Sequence, residues 1–324
     1  MLDRELAQVL GQSNWASWTV QEIAPDASDR LYYRLIGPNG GSVILMDARK
    51  SAPASMNRFV ELTGFLQHAG LRVPDLLDQA HNGQILFLSD LGRMSVAALL
   101  DDHPHFSQLY FREAAHLVAR VSALTPPDNL TVMSPMVAGE MVKITASTYC
   151  QDASLGTDFS DSITDHFARL CSPPDTLSLR DFHVENMVVD AATASQPAIG
   201  LIDYQDAFVA PDGYDLVSLI RDARRDVPAA IARDLIRGFQ PRSTTFVADP
   251  EVQLALLSVQ RNLRILGIFA ALITDGKPKY ASMLHRVWTY VMNDLDHRDL
   301  HRLKSVIAPA LPRPDVWLSN AGTD

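Results

Sequence analysis

Residues 179–190, LRDFHVENMVVD, and residues 200–207, GLIDYQDA, constrain this chain more than any other part of it. Met187, Val188 and Val189 form a short apolar run starting just after Asn186, and residues 199–202 form another ending at Asp203. Residues 190–197 between them are polar and turn-forming, so the two runs predict a hairpin that brings Asn186 and Asp203 together. Asp181 lies a few residues upstream, and Asp215 opens a further apolar, helix-like run, LVSLI. An Asp followed by an Asn five residues later means little by itself, because both favour turns and helix N-termini. The hairpin and Asp215 make the constellation specific.

Composition sets the outer bounds. A chain of 324 residues exceeds one average domain, and two lobes with separate cores are the expectation. The net charge is −10, and no Lys/Arg cluster alternates with aromatics, which argues against a nucleic-acid surface. Cys150 and Cys171 have no metal-ligand spacing and read as reduced thiols. The opening MLDRELAQVLGQ is of mixed charge and lacks the apolar core of a signal peptide. No apolar run looks long enough to span a bilayer, so a soluble, cytoplasmic protein without an obligatory protein partner is expected.

Along the chain, residues 18–24, 31–36 and 42–48 are strand-like, and GPNGG at 37–41 is a hairpin turn. Residues 55–69 place Phe59, Leu62, Leu66 and Ala69 on one helical face, and Gly70 stops the helix. Residues 76–80 and 85–89 complete a small antiparallel sheet with one helix. Beyond Met94 the pattern turns mainly helical, punctuated by Pro126-Pro127 and Pro173-Pro174, and residues 252–272 read as a buried helix. The expected division is a small lobe over 1–89, a hinge over 90–93 and a larger lobe over 94–324.

DASDRLYYRL at 26–35, VILMDA at 43–48, RDFHVEN with IDYQDA, YDLVSLIRD at 214–222 and QRNLRILGIFA at 260–270 together resemble the aminoglycoside phosphotransferase and choline kinase-like superfamily. Within it, the likeness is to bacterial anomeric kinases of N-acetylmuramate and N-acetylglucosamine. The resemblance implies an α+β, protein-kinase-like bilobal fold and a reaction that uses ATP and magnesium. Asp181 would be the catalytic base, Asn186 and Asp203 the magnesium ligands, and Asp215 a structural support. Asp206 would serve a second metal or the substrate, or else cap the next turn. His183 would fix the loop by a hydrogen bond rather than shuttle a proton. Ser89, Asp90 and Leu91 would face adenine.

Two departures from the superfamily pattern stand out. Leu179 replaces the histidine that usually opens the catalytic loop. VILMDA lacks the lysine that usually meets the α- and β-phosphates, and the first hairpin turn is not glycine-rich. A cation must still balance the triphosphate. Arg30 and Arg34 are the candidates, with Lys50 behind them, and the backbone at Ala27-Ser28 could cradle phosphate oxygens. Glu61, the usual partner of that lysine, would then simply face solvent.

The stretch from Asp203 to Asp215 is short, which favours a small-molecule hydroxyl acceptor over a peptide. A polycationic acceptor calls for a carboxylate-lined pocket. The chain instead supplies Arg221, Arg224 and Arg225, then Arg261 and Arg264 on one helix, which suit a neutral or carboxylate-bearing amino sugar. Ion pairing of Arg221, Arg224 and Arg225 with Asp222 and Asp226 is the competing expectation. Another acceptor, such as an aminoglycoside, an amino alcohol or an amino acid, and a non-catalytic nucleotide-binding module are the remaining alternatives.

Overall fold

The computed structural model describes residues 2–23, 30–190, 197–242 and 249–320. They fall into two compact units, one of residues 1–110 with 184–206 and one of residues 111–183 with 207–324. The hairpin carrying Asn186 and Asp203 belongs to the first of these units. In chain order the elements begin with α1 (Arg4–Gly11), β1 (Thr19–Ile23), β2 (Leu31–Ile36), β3 (Ser42–Asp47), α2 (Pro53–His68), β4 (Leu76–Ala80), β5 (Ile85–Ser89), β6 (Met94–Ser95), α3 (Val96–Asp102) and α4 (Ser107–Ser122). Next come α5 (Pro135–Ile144), α6 (Leu155–Leu170), β7 (Thr176–Ser178), β8 (Met187–Val189), β9 (Gly200–Leu201), β10 (Phe208–Ala210) and α7 (Tyr214–Ile220). The chain continues through α8 (Ala229–Gly238), α9 (Pro250–Thr274), α10 (Leu284–Leu295), α11 (His301–Ile307) and α12 (Pro314–Asn320).

In the first unit, five antiparallel strands pair in the order β1-β2-β3-β5-β4. Alternation along the strands sends Tyr33, Leu35, Val43, Leu45, Ile85 and Phe87 to one face, where Leu6 and Leu10 of α1 close the core. Each fully buried side chain of this size stabilises the fold by about 1.5–3 kcal/mol. Arg49 ties α1 to the end of β3, bonding Asp3, Glu5 and Asp47 together. Helix α2 starts two residues earlier than the apolar pattern suggested, because Pro53 at its first position has its backbone preset for a helix. It buries Met56, Phe59, Leu62 and Leu66. A second sheet pairs β6, β8 and β9, with Met94 opposite Val189 and Met187 opposite Leu201. β9 is shorter than its apolar run because Ile202 turns out to solvent and donates its N–H to the Asn186 carbonyl, 3.1 Å away.

The second unit is mainly helical, with β7 and β10 as one antiparallel pair. Its central helix is α9. By length and apolar composition α9 is the one described helix that could cross a membrane, which corrects the expectation of no such run. However, 72% of its apolar window is buried within the protein, so it serves as a core helix here. It also buries the polar side chains of Gln253, Ser258, Gln260, Arg261 and Asn262. A π-helical turn over Thr145–Tyr149 lets Thr145 and Thr148 donate to the Leu263 and Gly267 carbonyls of α9, at 2.6 and 2.8 Å. Cys150 and Cys171 are both free, and burial pushes both thiols up, Cys150 to about 12.

Candidate active site

Asp181 stands in the second unit on a loop that leaves β7. Asp215, near the start of α7, holds that loop from below. Its carboxylate accepts from Ser178 Oγ at 2.6 Å, Leu179 N–H at 2.8 Å and Arg180 N–H at 3.0 Å. Burial pushes the Asp215 pKa up to about 6, and the three donors offset only part of that push. Arg180 is bent into the left-handed region, φ 71°, a local strain the Asp215 bonds sustain. Leu179, where a histidine was expected, packs into the core instead. The Asp181 side chain is 47% exposed, and Arg261 Nη2 lies 3.7 Å from its Oδ1.

His183 is buried, with Nε2 3.0 Å from Arg224 Nη1. A guanidinium only donates, so that nitrogen accepts. Burial pushes the imidazole well below its usual pKa, and Arg224 and Arg261 push the same way, leaving a neutral ring. Arg221 forms a bidentate pair with Asp294 on α10, and Asp226 is taken by Arg286. Neither expectation for the 221–225 cluster therefore describes Arg221.

Asn186 and Asp203 meet in the first unit, as the β8–β9 hairpin implies. Asn186 Nδ2 is 3.4 Å from Asp203 Oδ2, and Gln205 Nε2 donates to Asp203 Oδ1 at 2.8 Å. Asp203 lies in the left-handed region at φ 61°, which turns its carboxylate away from the strand. Tyr204, fully buried, anchors this bend: its ring stacks on Phe59 at 5.6 Å, and its hydroxyl is 2.7 Å from Thr63 Oγ1 on α2. An amide and a carboxylate this close, both hard oxygen donors, fit magnesium, which takes one or two protein oxygens and completes its shell with water and phosphate. Among the described residues no group of three His, Cys, Asp or Glu side chains gathers to hold a metal. Asp206 is exposed.

The remaining candidates of the first unit are placed differently from one another. Ser28 lies outside the described residues. Arg30 is buried, donates to Ser55 Oγ on α2 at 2.9 Å, and sits 6.0 Å from the Phe59 ring. Met46 occupies the strand where a lysine was missed and is fully buried. Arg34, the other phosphate candidate, is engaged within its own unit. Its guanidinium is bound to Asp90 at 2.6 Å and to the Gly92 carbonyl at 3.0 Å, so it braces the 89–92 segment. Burial pushes Asp90 up, but Arg34, Ser42 and the Gly92 N–H outweigh it and hold the carboxyl below its usual range. The Leu91 carbonyl accepts from Arg72 at 2.5 Å, and Ser89 N–H donates to Asp75. Gly92 has φ 145°, and a Cβ there would lie 2.4 Å from the Val189 carbonyl of β8.

Comparison with known proteins decides the family. Residues 19–251 match the phosphotransferase enzyme family. The chain belongs to that family. As a member of it the protein is a phosphotransferase. This phosphotransferase is 26% identical to an N-acetylmuramate/N-acetylglucosamine kinase of Pseudomonas aeruginosa, over 96% of this chain and 95% of that one. It is 29% identical to a Neisseria meningitidis protein of the same name, over 83% of each. Among solved structures it resembles a choline/ethanolamine kinase family protein from Mesorhizobium loti with TM-score 0.63 and 11% identity, covering 93% of this chain and 97% of that one. That likeness assigns the fold as α+β and protein-kinase-like, with an antiparallel sheet toward the N-terminus and a mostly helical remainder.

Several residues that hold the candidate groups in place have little signature in the sequence. Gln205, next but one to Asp203, holds that carboxylate; an amide in IDYQDA was the available signal. Ser218 holds Arg261 at 2.9 Å, and Thr63 holds Tyr204, but a lone hydroxyl on a helix gives no sequence signal.

Proposed function

We propose that this phosphotransferase moves the γ-phosphoryl group of ATP to the anomeric hydroxyl of an N-acetyl amino sugar, giving the sugar 1-phosphate and ADP. The observation that carries this reading is the half-exposed Asp181 carboxylate with Arg261 Nη2 3.7 Å away, in a unit where Arg264 interacts with it and with Arg180. An accessible carboxylate can orient a hydroxyl and accept its proton. Cationic surroundings repel polycationic acceptors and tolerate neutral or acidic sugars. The shared name of two relatives aligned over most of their length supports the amino-sugar class.

In this reading Asp181 accepts the proton of the acceptor hydroxyl as that oxygen attacks phosphorus in line. Asn186 and Asp203 would hold magnesium, which when bound neutralises charge on the phosphates of ATP. Gln205 keeps the Asp203 carboxylate in one orientation, and Asp215 keeps the Asp181 loop in its bent backbone. Asn186 would present its amide oxygen to the ion, a half-turn of the amide from its bond to Asp203. Arg30 is the buried cation of β2's approach that remains for the triphosphate, set by Ser55. Ser89 and Leu91 would offer adenine the backbone groups that their bonds to Asp75 and Arg72 leave over, and Asp90, whose side chain pairs with Arg34, would offer its own backbone.

Phosphorus NMR of the protein with ATP, magnesium and N-acetylmuramate or N-acetylglucosamine tests this directly. The expected result is a glycosyl phosphate resonance growing with that of ADP. A phosphate monoester on another hydroxyl, or ATP left unconsumed with both sugars, overturns the assignment.

A further inference from the structure

Beside Asp181 the second unit gathers arginines whose hydrogen-bonding capacity is only partly used among the described residues. Arg261 is 5% exposed; its Nη2 donates to Ser218 Oγ, while its Nη1 is buried with no hydrogen-bond partner. Arg264 follows three residues later on the same face of α9, and interacts electrostatically with Arg180, Tyr214, Asp181 and Arg261. Among the described residues its guanidinium forms neither a hydrogen bond nor an ion pair. The Arg180 guanidinium is likewise without a hydrogen bond and rests 5.9 Å from the centre of the Phe208 ring. Burial pushes the Arg264 pKa down, and Arg180 pushes the same way.

Nearby acids do not answer this charge. Asp215 spends its oxygens on Ser178 and on two backbone N–H groups. Asp222 accepts from the Arg224 N–H and interacts with Arg224, Arg261 and Arg225. Asp181 interacts electrostatically with Arg264. A partly buried guanidinium with like charges beside it and no acceptor is unfavourable unless a ligand supplies the anion.

We propose that Arg264 and Arg180, backed by Arg261, form an anion subsite beside Asp181 that binds a carboxylate carried by the acceptor. The inference rests on Asp181 being the group that meets the acceptor hydroxyl. A planar guanidinium takes a carboxylate through two parallel hydrogen bonds, so the subsite would also fix how the sugar ring is turned toward Asp181. A neutral amino sugar would leave Arg264 unanswered. An acceptor bearing an acidic ether side chain would complete it. The transferring phosphoryl group is the other anion that could occupy such a place, and the two make different demands on the acceptor.

The test compares N-acetylmuramate, which carries an ether-linked carboxylate, with N-acetylglucosamine, which lacks it. For Arg264→Gln the ratio of kcat/KM for the acidic sugar to that for the neutral one should fall at least tenfold, mainly through KM. Arg264→Lys should restore part of the ratio. A charge-assisted bond of this kind is worth about 10- to 100-fold in binding. A ratio unchanged in the Gln variant overturns the subsite, and equal loss of kcat with both sugars would assign the arginine to the phosphoryl group instead. Calorimetry of each sugar with wild type and Arg264→Gln separates this claim from the proposed reaction. If wild type turns over neither sugar, the reaction fails, yet a binding preference for the acidic sugar that Arg264→Gln abolishes still supports the subsite. Equal binding of the two sugars by wild type overturns it.

Discussion

Asp215 shows how one side chain can govern a loop it never leaves. It satisfies two consecutive backbone N–H groups and one hydroxyl, and thereby holds Arg180 at positive φ directly before Asp181. Its raised pKa has a measurable sign. A carboxyl at about 6 when folded and near 3.8 when unfolded makes the native state bind the extra proton between those values. Its contribution to stability is therefore full below about pH 4 and is lost as pH rises through about 6, by on the order of 3 kcal/mol. Asp215→Asn removes that slope and leaves a backbone N–H short of an acceptor. Denaturant melts at several pH values should show the variant far less stable than wild type near pH 4.5, with the gap narrowing toward pH 7. A gap that is constant or widens would contradict the environment assigned to Asp215. Its supporting place was legible from its position at the head of an apolar helix run. Its burial and its three donors were not, because they depend on where β7 ends relative to α7.

At the level of elements, legibility followed periodicity. The strands β2, β4, β5 and β8 run over the residues that alternation and turn chemistry implied, since a half-buried strand must alternate and GPNGG must turn. Side-chain pairing between distant strands carries no such signature. Arg34 is a phosphate candidate because β3 lacks a lysine and β2 supplies an arginine, but Asp90, 56 positions away in sequence, pairs with it. The arginine then stiffens the 89–92 segment where Gly92 passes against β8. Gly92→Ala should destabilise the protein by about 1–3 kcal/mol through its backbone alone, with more from the clash at Val189. Thermal melts measure this; a variant as stable as wild type would mean that the 92–189 approach is looser than described.

For the whole molecule, the groups proposed for catalysis are divided between the two compact units: Asp181 lies in the second, Asn186 and Asp203 in the first. The sequence places the three within a few dozen positions because the chain returns to the first unit for only residues 184–206. That return is what made the motif readable before any fold was known. The net charge of −10 hid the local reverse, a group of arginines around one aspartate that only folding gathers from the β7 loop and from α9. In the proposed mechanism Asp181 is the group whose removal should affect chemistry most selectively. The decisive measurement is the steady-state kcat and ATP KM of Asp181→Asn with an N-acetyl amino sugar. A loss in kcat of about 10²–10⁴-fold with ATP KM within a few-fold of wild type is predicted. Undiminished kcat with a raised ATP KM would contradict the role of Asp181 and the mechanism built on it.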